Sequence, residues 1–530
     1  MVGEVNVIKL WLGEIISSGP YHLRCINTRN SNCPEPAPVK MTLHIHNTLS
    51  GKKEPLQTLE PGHVKLYVCG ITSYDYCHIG HARSALAFDM IVRYLKYRGY
   101  RVTFVRNFTD IDDKIIARAQ EQNTSSEELA NRFINEFYTD MDRLGVDRPD
   151  IEPRATEHIQ EMTALIGELI AKGMAYQAGN DVYYVVDSFL QYGKLSKRNL
   201  DDMKAGARIL VNEQKNNPMD FVLWKGSKPG EPTWDSPWGP GRPGWHIECS
   251  AMSKKYLGES FDIHGGGQDL IFPHHENEIA QSEGASGKEF AHTWIHHGFV
   301  TIRDEKMSKS LGNFLTIRDI LDHYHPEILR FFIFSTHYRN PLDFSETAMK
   351  DATVGLTRLY ECVAAVDALD VAKAKDHGAS LIAAEDINKV LELEPRFQQA
   401  MDNDFNTAQA QGIFFDTVKT INRLHDTICA APTVADIHFL KDATALLRRL
   451  AAIMGLLNED ARSFLSTRRA KLIADSDIDA SIVEALIAER YQCRLDKNWS
   501  RSDQIRAELL AKNIELSDGP EGTSWSVKNQ

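Results

Sequence analysis

Strand, helix and strand follow one another within about forty residues early in the chain, and few architectures tolerate that order. Val64-Lys65-Leu66-Tyr67-Val68 reads as a short strand running into Cys69-Gly70. A helix is predicted from about Gly80 to Arg98, stopped by Gly99. Val102-Thr103-Phe104-Val105 is the next strand. Strands joined through a helix run parallel, and a parallel sheet needs cover on both faces. The pattern returns at Phe261-Asp262-Ile263-His264, followed by three glycines, a helix from about His274 and a strand from Trp294 to Ile302. The expected fold is therefore α/β, a parallel sheet in two halves with a separate piece inserted between them.

The insertion lies between about residues 175 and 240. Met174-Ala175-Tyr176, a Gly-Asn-Asp turn and Val182 to Val186 predict a hairpin, and a Pro/Gly/Trp-rich stretch spans Lys225 to Gly244. Ser125 and Glu128 form a capping box for a helix with the apolar stripe Leu129, Phe133, Phe137, Met141 and Leu144. After residue 316 the pattern is helical until about 458, with helix starts at Thr316/Asp319 and Pro326. Residues 480 to 530 hold one strong helix and a Gly-rich end, Asp518 to Gly522.

A chain of 530 residues exceeds one core and suggests three to five domains. The net charge of −13 argues weakly against a nucleic-acid partner, although a local basic face can sit on an acidic protein. The eight cysteines form no CxxC pair and no dense framework, which fits a reducing, cytoplasmic setting. No apolar run approaches the ~20 residues of a membrane span. Residues 1–40 end in Pro34-Glu35-Pro36-Ala37-Pro38 and read as a flexible appendage, with Met41 as the expected natural start.

Two motifs carry phosphate chemistry. Cys77-His78-Ile79-Gly80-His81 stands at a helix N-terminus, where free N–H groups and a partial positive charge favour an anion. Lys306-Met307-Ser308-Lys309-Ser310 supplies cations and hydroxyls in a loop after a strand. Alone, each is as well explained by a solvated helix start or a basic surface loop. Together and in this order, they resemble the two signatures of class I aminoacyl-tRNA synthetases. That resemblance implies a Rossmann-type core binding ATP, with magnesium, at the carboxyl ends of the strands. It implies that His78, Gly80 and His81 meet ATP phosphates, that Lys306 and Lys309 act on the transferring pyrophosphate, and that Gly265, Gly266 and Gly267 meet the adenosine.

The amino acid is a further question. Cys69, Cys249, His274 and Glu278 are a plausible tetrahedral zinc set, but His246 with Cys249, or His275 with Glu278, would serve equally by spacing. Spacing does not choose among them. The segments around Cys69, Gly244 to Ser250 and Phe272 to Glu278 look like those of cysteinyl-tRNA synthetases. That resemblance selects Cys69, Cys249, His274 and Glu278 as ligands of one zinc. It also implies that Thr109 and Trp245 contact the amino acid and that Asp269 lies near its ammonium. L-cysteine, ATP and tRNA-Cys are the implied partners, and a monomer is the expectation.

The same resemblance orders the chain. After the appendage come the first half of the catalytic domain at 41–150, an inserted connective domain at 151–243, and the second half with the lysine loop at 244–315. Stem-contact helices follow at 316–345, a helical bundle at 346–460, and an anticodon-binding module at 461–530. Met401-Asp402-Asn403-Asp404-Phe405-Asn406-Thr407 resembles the family's bundle, and Asp518 to Trp525 its C-terminal module.

Overall fold

The computed structural model describes residues 42–199, 215–302, 305–306, 315–376, 380–429, 431–474, 479–512, 514–519 and 522–527. Residues 1–40, and Met307 to Ser310 with Lys309 among them, lie outside that set.

A hairpin of β1 (His44–Asn47) and β2 (Lys52–Pro55) leads into β3 (His63–Val68), α1 (Ile79–Tyr97) and β4 (Arg101–Arg106). β3 and β4 pair in parallel from His63↔Arg101 to Val68↔Arg106, the predicted βαβ unit. α2 (Asp113–Glu121) and α3 (Ser126–Arg143) follow. Ser125 and Glu128 make the reciprocal capping bonds at the start of α3, and its apolar stripe is buried. After α4 (Ile159–Ala171), the insertion folds as an antiparallel sheet of β5 (Ala175–Ala178), β6 (Asp181–Tyr184), β7 (Phe221–Gly226) and β8 (Gly241–Pro243).

α5 (Trp245–Leu257) returns the chain to the first sheet through β9 (Phe261–Gly267), α6 (Glu276–Ser286) and β10 (Ala291–His297). The strand order is β10-β9-β3-β4, all parallel. The two halves meet where β9 pairs with β3, and the connections leave that line in opposite directions. In open α/β sheets, ligands bind in the crevice outside the carboxyl ends of such strands. Every residue of β9 is buried, as a central parallel strand requires.

Two boundaries differ from expectation. The strand expected from Trp294 to Ile302 is divided. β10 ends at His297, and β11 (Val300–Ile302) belongs to a second sheet, between β12 (Glu305–Lys306) and β13 (Leu342–Phe344). The chain changes sheets at Gly298, where a Cβ would lie 2.4 Å from the Asn340 carbonyl oxygen. α6 begins at Glu276 rather than at His274, because a π-turn over Ile271–His275, with Phe272 extended, precedes it.

α7 (Ile317–His323) opens on the Thr316/Asp319 capping pair and α8 (Pro326–Phe334) on Pro326. The helical region then comprises α9 (Glu346–Asp367), α10 (Ala384–Leu391), α11 (Leu393–Asp402), α12 (Thr407–Ile428), α13 (Val434–Ile453) and α14 (Ala461–Ala474). One apolar core runs from Leu43 to Phe464, so sheet and bundle share an interior. Beyond it, where one helix was expected, there are two, α15 (Ala480–Leu495) and α16 (Trp499–Ala511), and a hairpin of β14 (Ile514–Gly519) and β15 (Gly522–Val527). Lys497, at φ 59°, and the cap residue Asn498 interrupt the helical run. This module has its own small core, built on Val483, Ile487, Ile505, Leu509, Ile514 and Trp525. Among the described residues, no helix is long and apolar enough to cross a membrane.

Arg330 of α8 pins sheet to bundle. Its guanidinium donates to the carbonyls of Leu144 (2.7 Å), Met454 (3.1 Å) and Gly145, and to the buried Asp89 carboxylate of α1 (2.8 Å). Arg330→Leu leaves that carboxylate with Arg93 as its remaining cation and three carbonyls without their donor, and is expected to cost about 3–5 kcal/mol, read as a lower denaturant midpoint of the main unfolding transition. In the C-terminal module, Arg490 donates to both Asp518 oxygens at 2.7 and 2.8 Å. These bonds, and then the one from Thr523, hold the Asp518 carboxyl below the ordinary aspartate value of 3.8. A depressed pKa gives stability that is present above the unfolded value and lost as pH falls toward the folded one. Acidification below about pH 4 should therefore lower the protection of β14 and β15 against hydrogen exchange relative to the intrinsic rate at each pH, and Asp518→Asn should flatten that dependence.

Candidate active site and metal centre

Cys69 follows the last residue of β3, at the line where the half-sheets join, and its N–H donates to the Gly265 carbonyl at 3.3 Å. Cys249 lies in the first turns of α5. His274 lies near the end of the π-turn before α6, and Glu278 sits one helical turn later. The Cys69 sulfur is 3.6 Å from that of Cys249, 3.4 Å from His274 Nε2 and 3.5 Å from Glu278 Oε1. His274 Nε2 is 3.0 Å from Glu278 Oε1, so the i, i+4 pair does share a face. One donor atom from each of the four lies within 4.8 Å of every other. A second set, Cys69, His264, His275 and Glu278, meets the same criterion.

The cluster is largely buried, with Cys69 partly exposed, and charged, a combination that requires internal compensation. Burial would raise Glu278, but the imidazoles of His264 and His274 beside it bring its carboxyl down to about 2. Burial would lower His274, but the Glu278 carboxylate and the Cys249 sulfur raise it to about 10. Cys249 falls to about 6: burial opposes ionisation, and contacts with Cys69 and His274 outweigh it. Cys69 is pushed well up by burial and by the neighbouring sulfur. One thiol is thus disposed to ionise and its partner to keep a proton. A divalent cation would replace those protons, and two sulfurs, an imidazole and a carboxylate are a donor set that suits zinc.

Further side chains orient these donors. His246 Nδ1 is 2.9 Å from His274 Nδ1, His264 Nε2 is 2.8 Å from Glu278 Oε2, and His275 Nδ1 is 2.8 Å from His296 Nε2. Burial holds His246 near 3 and His275 and His296 well below the usual histidine value, so they are neutral at pH 7. Trp245 stacks on His274 with ring centroids 4.2 Å apart. Thr109, itself buried, donates its hydroxyl to Glu248 Oε2 at 2.8 Å. Asp269 lies exposed in the short 3-10 turn Gln268–Leu270 that follows β9.

His78 is the N-cap of α1. Its Nδ1 accepts the Gly80 N–H (3.0 Å), the His81 Nδ1 accepts the His78 N–H (3.2 Å), and the two rings stack at 3.9 Å. The residues expected to meet phosphate therefore also cap their own helix. Ile317 N–H donates to the Cys77 carbonyl (2.9 Å), and Ile79 N–H to that of Leu315 (3.3 Å), so the segment beyond the lysine motif is tied to the first motif. Gly265 to Gly267 form the end of β9 rather than a turn. A Cβ on Gly265 would lie 2.3 Å from the Phe88 ring, so close helix–strand packing itself demands glycine there. Lys306 closes β12 opposite Thr301.

Sequence reasoning passes over Glu248, His264 and His296. Glu248 lies within the Gly244–Ser250 segment but looks like an ordinary helical glutamate; burial, followed by the neighbouring Cys249, raises its carboxyl well above the usual range. His264 and His296 sit buried in β9 and β10, beside Asp262 in the one and His292, Thr293 and His297 in the other, and a histidine inside a central-strand pattern is the available signal.

Comparison with known proteins agrees with this fold. The family described as tRNA synthetases class I (C) catalytic domain matches residues 55–354, and the DALR domain matches residues 396–458. A cysteine–tRNA ligase of Desulfotalea psychrophila is 66% identical over 487 residues, covering 92% of this chain and 99% of that protein. One of Geobacter sulfurreducens is 54% identical over 488 residues, covering 92% and 100%. Among solved structures, a Mycobacterium tuberculosis methionyl-tRNA synthetase in complex with methionyl-adenylate shares the fold, with a TM-score of 0.58 at 17% identity, covering 76% of this chain and 93% of that one. With a catalytic-domain match over more than half its length and a relative two-thirds identical along nearly all of it, the chain belongs to the cysteine–tRNA ligases, within the class I aminoacyl-tRNA synthetases.

Proposed function

We propose that this chain, acting as a cytoplasmic monomer, activates L-cysteine with ATP and magnesium and transfers it to the 3′-terminal adenosine of tRNA-Cys. The observation that carries the reading is the largely buried convergence of Cys69, Cys249, His274 and Glu278 at the carboxyl ends of β3 and β9, in a chain of this family. The cysteine carboxylate is ionised at neutral pH, so no general base is needed for its attack on the α-phosphorus. A bond forms from carboxylate oxygen to phosphorus as the bond to pyrophosphate breaks, giving the adenylate. A hydroxyl of the terminal adenosine then attacks the activated carbonyl and AMP leaves.

The protein's part is to position and to stabilise charge. His78, Gly80 and His81 present the α1 N-terminus to the phosphates. Lys306 and Lys309 take up charge on the departing pyrophosphate, and Gly265 to Gly267 line the adenosine. Thr109 spends its proton on Glu248, which leaves its oxygen lone pairs to accept from the substrate ammonium near Asp269. Trp245 flanks the amino acid. Cys69, Cys249, His274 and Glu278 would hold zinc, which prefers a thiolate to a serine hydroxyl and so supplies selectivity that an apolar pocket cannot give against a near-isostere. His246 and His264 keep His274 and Glu278 in place.

Cys249→Ser is expected to lower zinc affinity at least ~100-fold and to abolish cysteine-dependent ATP–pyrophosphate exchange, while His275→Asn keeps its zinc. Metal analysis of the purified variants checks this, and zinc lost from the second but kept by the first would move the site to Cys69, His264, His275 and Glu278. Lys309→Ala should reduce kcat for pyrophosphate exchange at least about tenfold; an unchanged rate refutes its role.

A further inference from the structure

The connection Asn403–Asn406, between α11 and α12, takes no part in the chemistry described so far, yet its backbone is unusual. Asp404 and Phe405, neither of them glycine, have φ of 68° and 52° in succession. Such conformations persist where surrounding contacts over-determine them, and they cluster at positions where geometry matters to function.

Those contacts are specific. The Asp404 carboxylate is wholly buried. Its Oδ1 accepts the Tyr338 hydroxyl at 2.7 Å and the His46 N–H at 3.0 Å, and its Oδ2 accepts Arg339 Nε at 2.7 Å. His337 Nε2 stands 3.6 Å away, and the Asp404 N–H donates to the His44 carbonyl at 2.9 Å. A carboxylate of the bundle thus closes on β1 and on the turn His337–Asn340 of the catalytic half. The turn's carbonyls point onward. That of Tyr338 accepts Arg83 Nη2 (3.0 Å) and the Gly298 N–H (2.9 Å), that of Asn340 also accepts Arg83, and that of Arg339 accepts Gln268 Nε2 (3.2 Å). Arg83 lies two residues beyond His81 in α1, and Gln268 directly follows Gly267.

One four-residue turn therefore holds residues that adjoin both segments read as ATP-binding, and Asp404 fixes that turn. We propose that Asp404 is a positioning residue for ATP: through the turn His337–Asn340 it sets the spacing between the N-terminus of α1 and the glycine end of β9. The proposal rests on the reading of those two segments as the nucleotide site. The candidate zinc ligands stand at the end of β3, on α5, in the turn before α6 and on α6 itself, and the turn reaches the cysteine side only through Gln268 beside Asp269, so loss of Asp404 should weigh mainly on ATP.

The test is steady-state pyrophosphate exchange by the full-length, zinc-loaded protein, titrated separately with ATP and with cysteine. Asp404→Asn is expected to raise KM for ATP about tenfold and to leave KM for cysteine within about twofold. Arg83→Lys should act in the same direction, and the double variant should be no worse than the worse single one, because both act through the same turn. An unchanged KM for ATP overturns the proposal. So does a fall in kcat that merely tracks the folded fraction, with both KM values constant. If Asp404→Asn does not fold, Arg339→Ala, whose side chain is a third exposed, takes its place: a raised KM for ATP alone supports the proposal, and an unchanged one overturns it. Wild-type protein that shows no pyrophosphate exchange whichever amino acid is supplied removes the nucleotide-site reading and this proposal with it.

Discussion

Glu278 is an ionised carboxylate with no exposed surface, shared between His264 and His274. A charge in that position is tolerable only if its partners arrive with it, because desolvation outweighs any single contact. The requirement reaches far along the chain. His264 comes from the strand that joins the two half-sheets, His274 from the turn before α6, and Cys69 and Cys249 from either side of the insertion. The site is therefore a condition of the fold as much as its product. The catalytic halves cannot close on one another with this carboxylate left alone.

Much of this is legible in the residues. The βαβ unit, the capping pairs Ser125/Glu128 and Thr316/Asp319, and the hairpin after Met174 follow from local chemistry, and local chemistry forms them. The displaced strand boundary has a distant cause. Whether Val300 continues β10 is decided by the carbonyl of Asn340, about forty residues on, which occupies the space beside Gly298. The C-terminal hairpin escapes local reading for a related reason: Ile514 and Trp525 read as strand only once α15 and α16 offer them a core.

At the site, spacing can propose ligands but not choose among them, and the structure explains why. His246, His264, His275 and His296 crowd the same region as His274, touching it, Glu278 or one another, and His264 and His275 complete a second four-donor set with Cys69 and Glu278. A sequence displays all of these imidazoles alike. What separates them is which nitrogen faces a carboxylate, which faces another ring and which lies near sulfur, and those are properties of three-dimensional packing. Glu248 is hidden for the same reason, since nothing in its neighbours' identities announces that a helical glutamate is fully enclosed.

The parallel pairing of Leu66 with Ile263 also has a consequence in time. The two partners are separated by roughly 200 residues, the insertion among them. At ribosomal rates, β3 would wait about 10–40 seconds for its neighbour β9 to be made. During that interval α1 and β4 can dock on β3, but one of its edges stays bare, with Cys69 at the tip. The insertion has a use in that window. Its backbone N–H groups at Gly193 and Ser196 later grip Glu276, at the first turn of α6, and its Tyr184 hydroxyl donates to the carbonyl of Ala280 in the same helix. A connective domain that folds first presents a ready template for the second half, so the order of synthesis becomes an order of assembly.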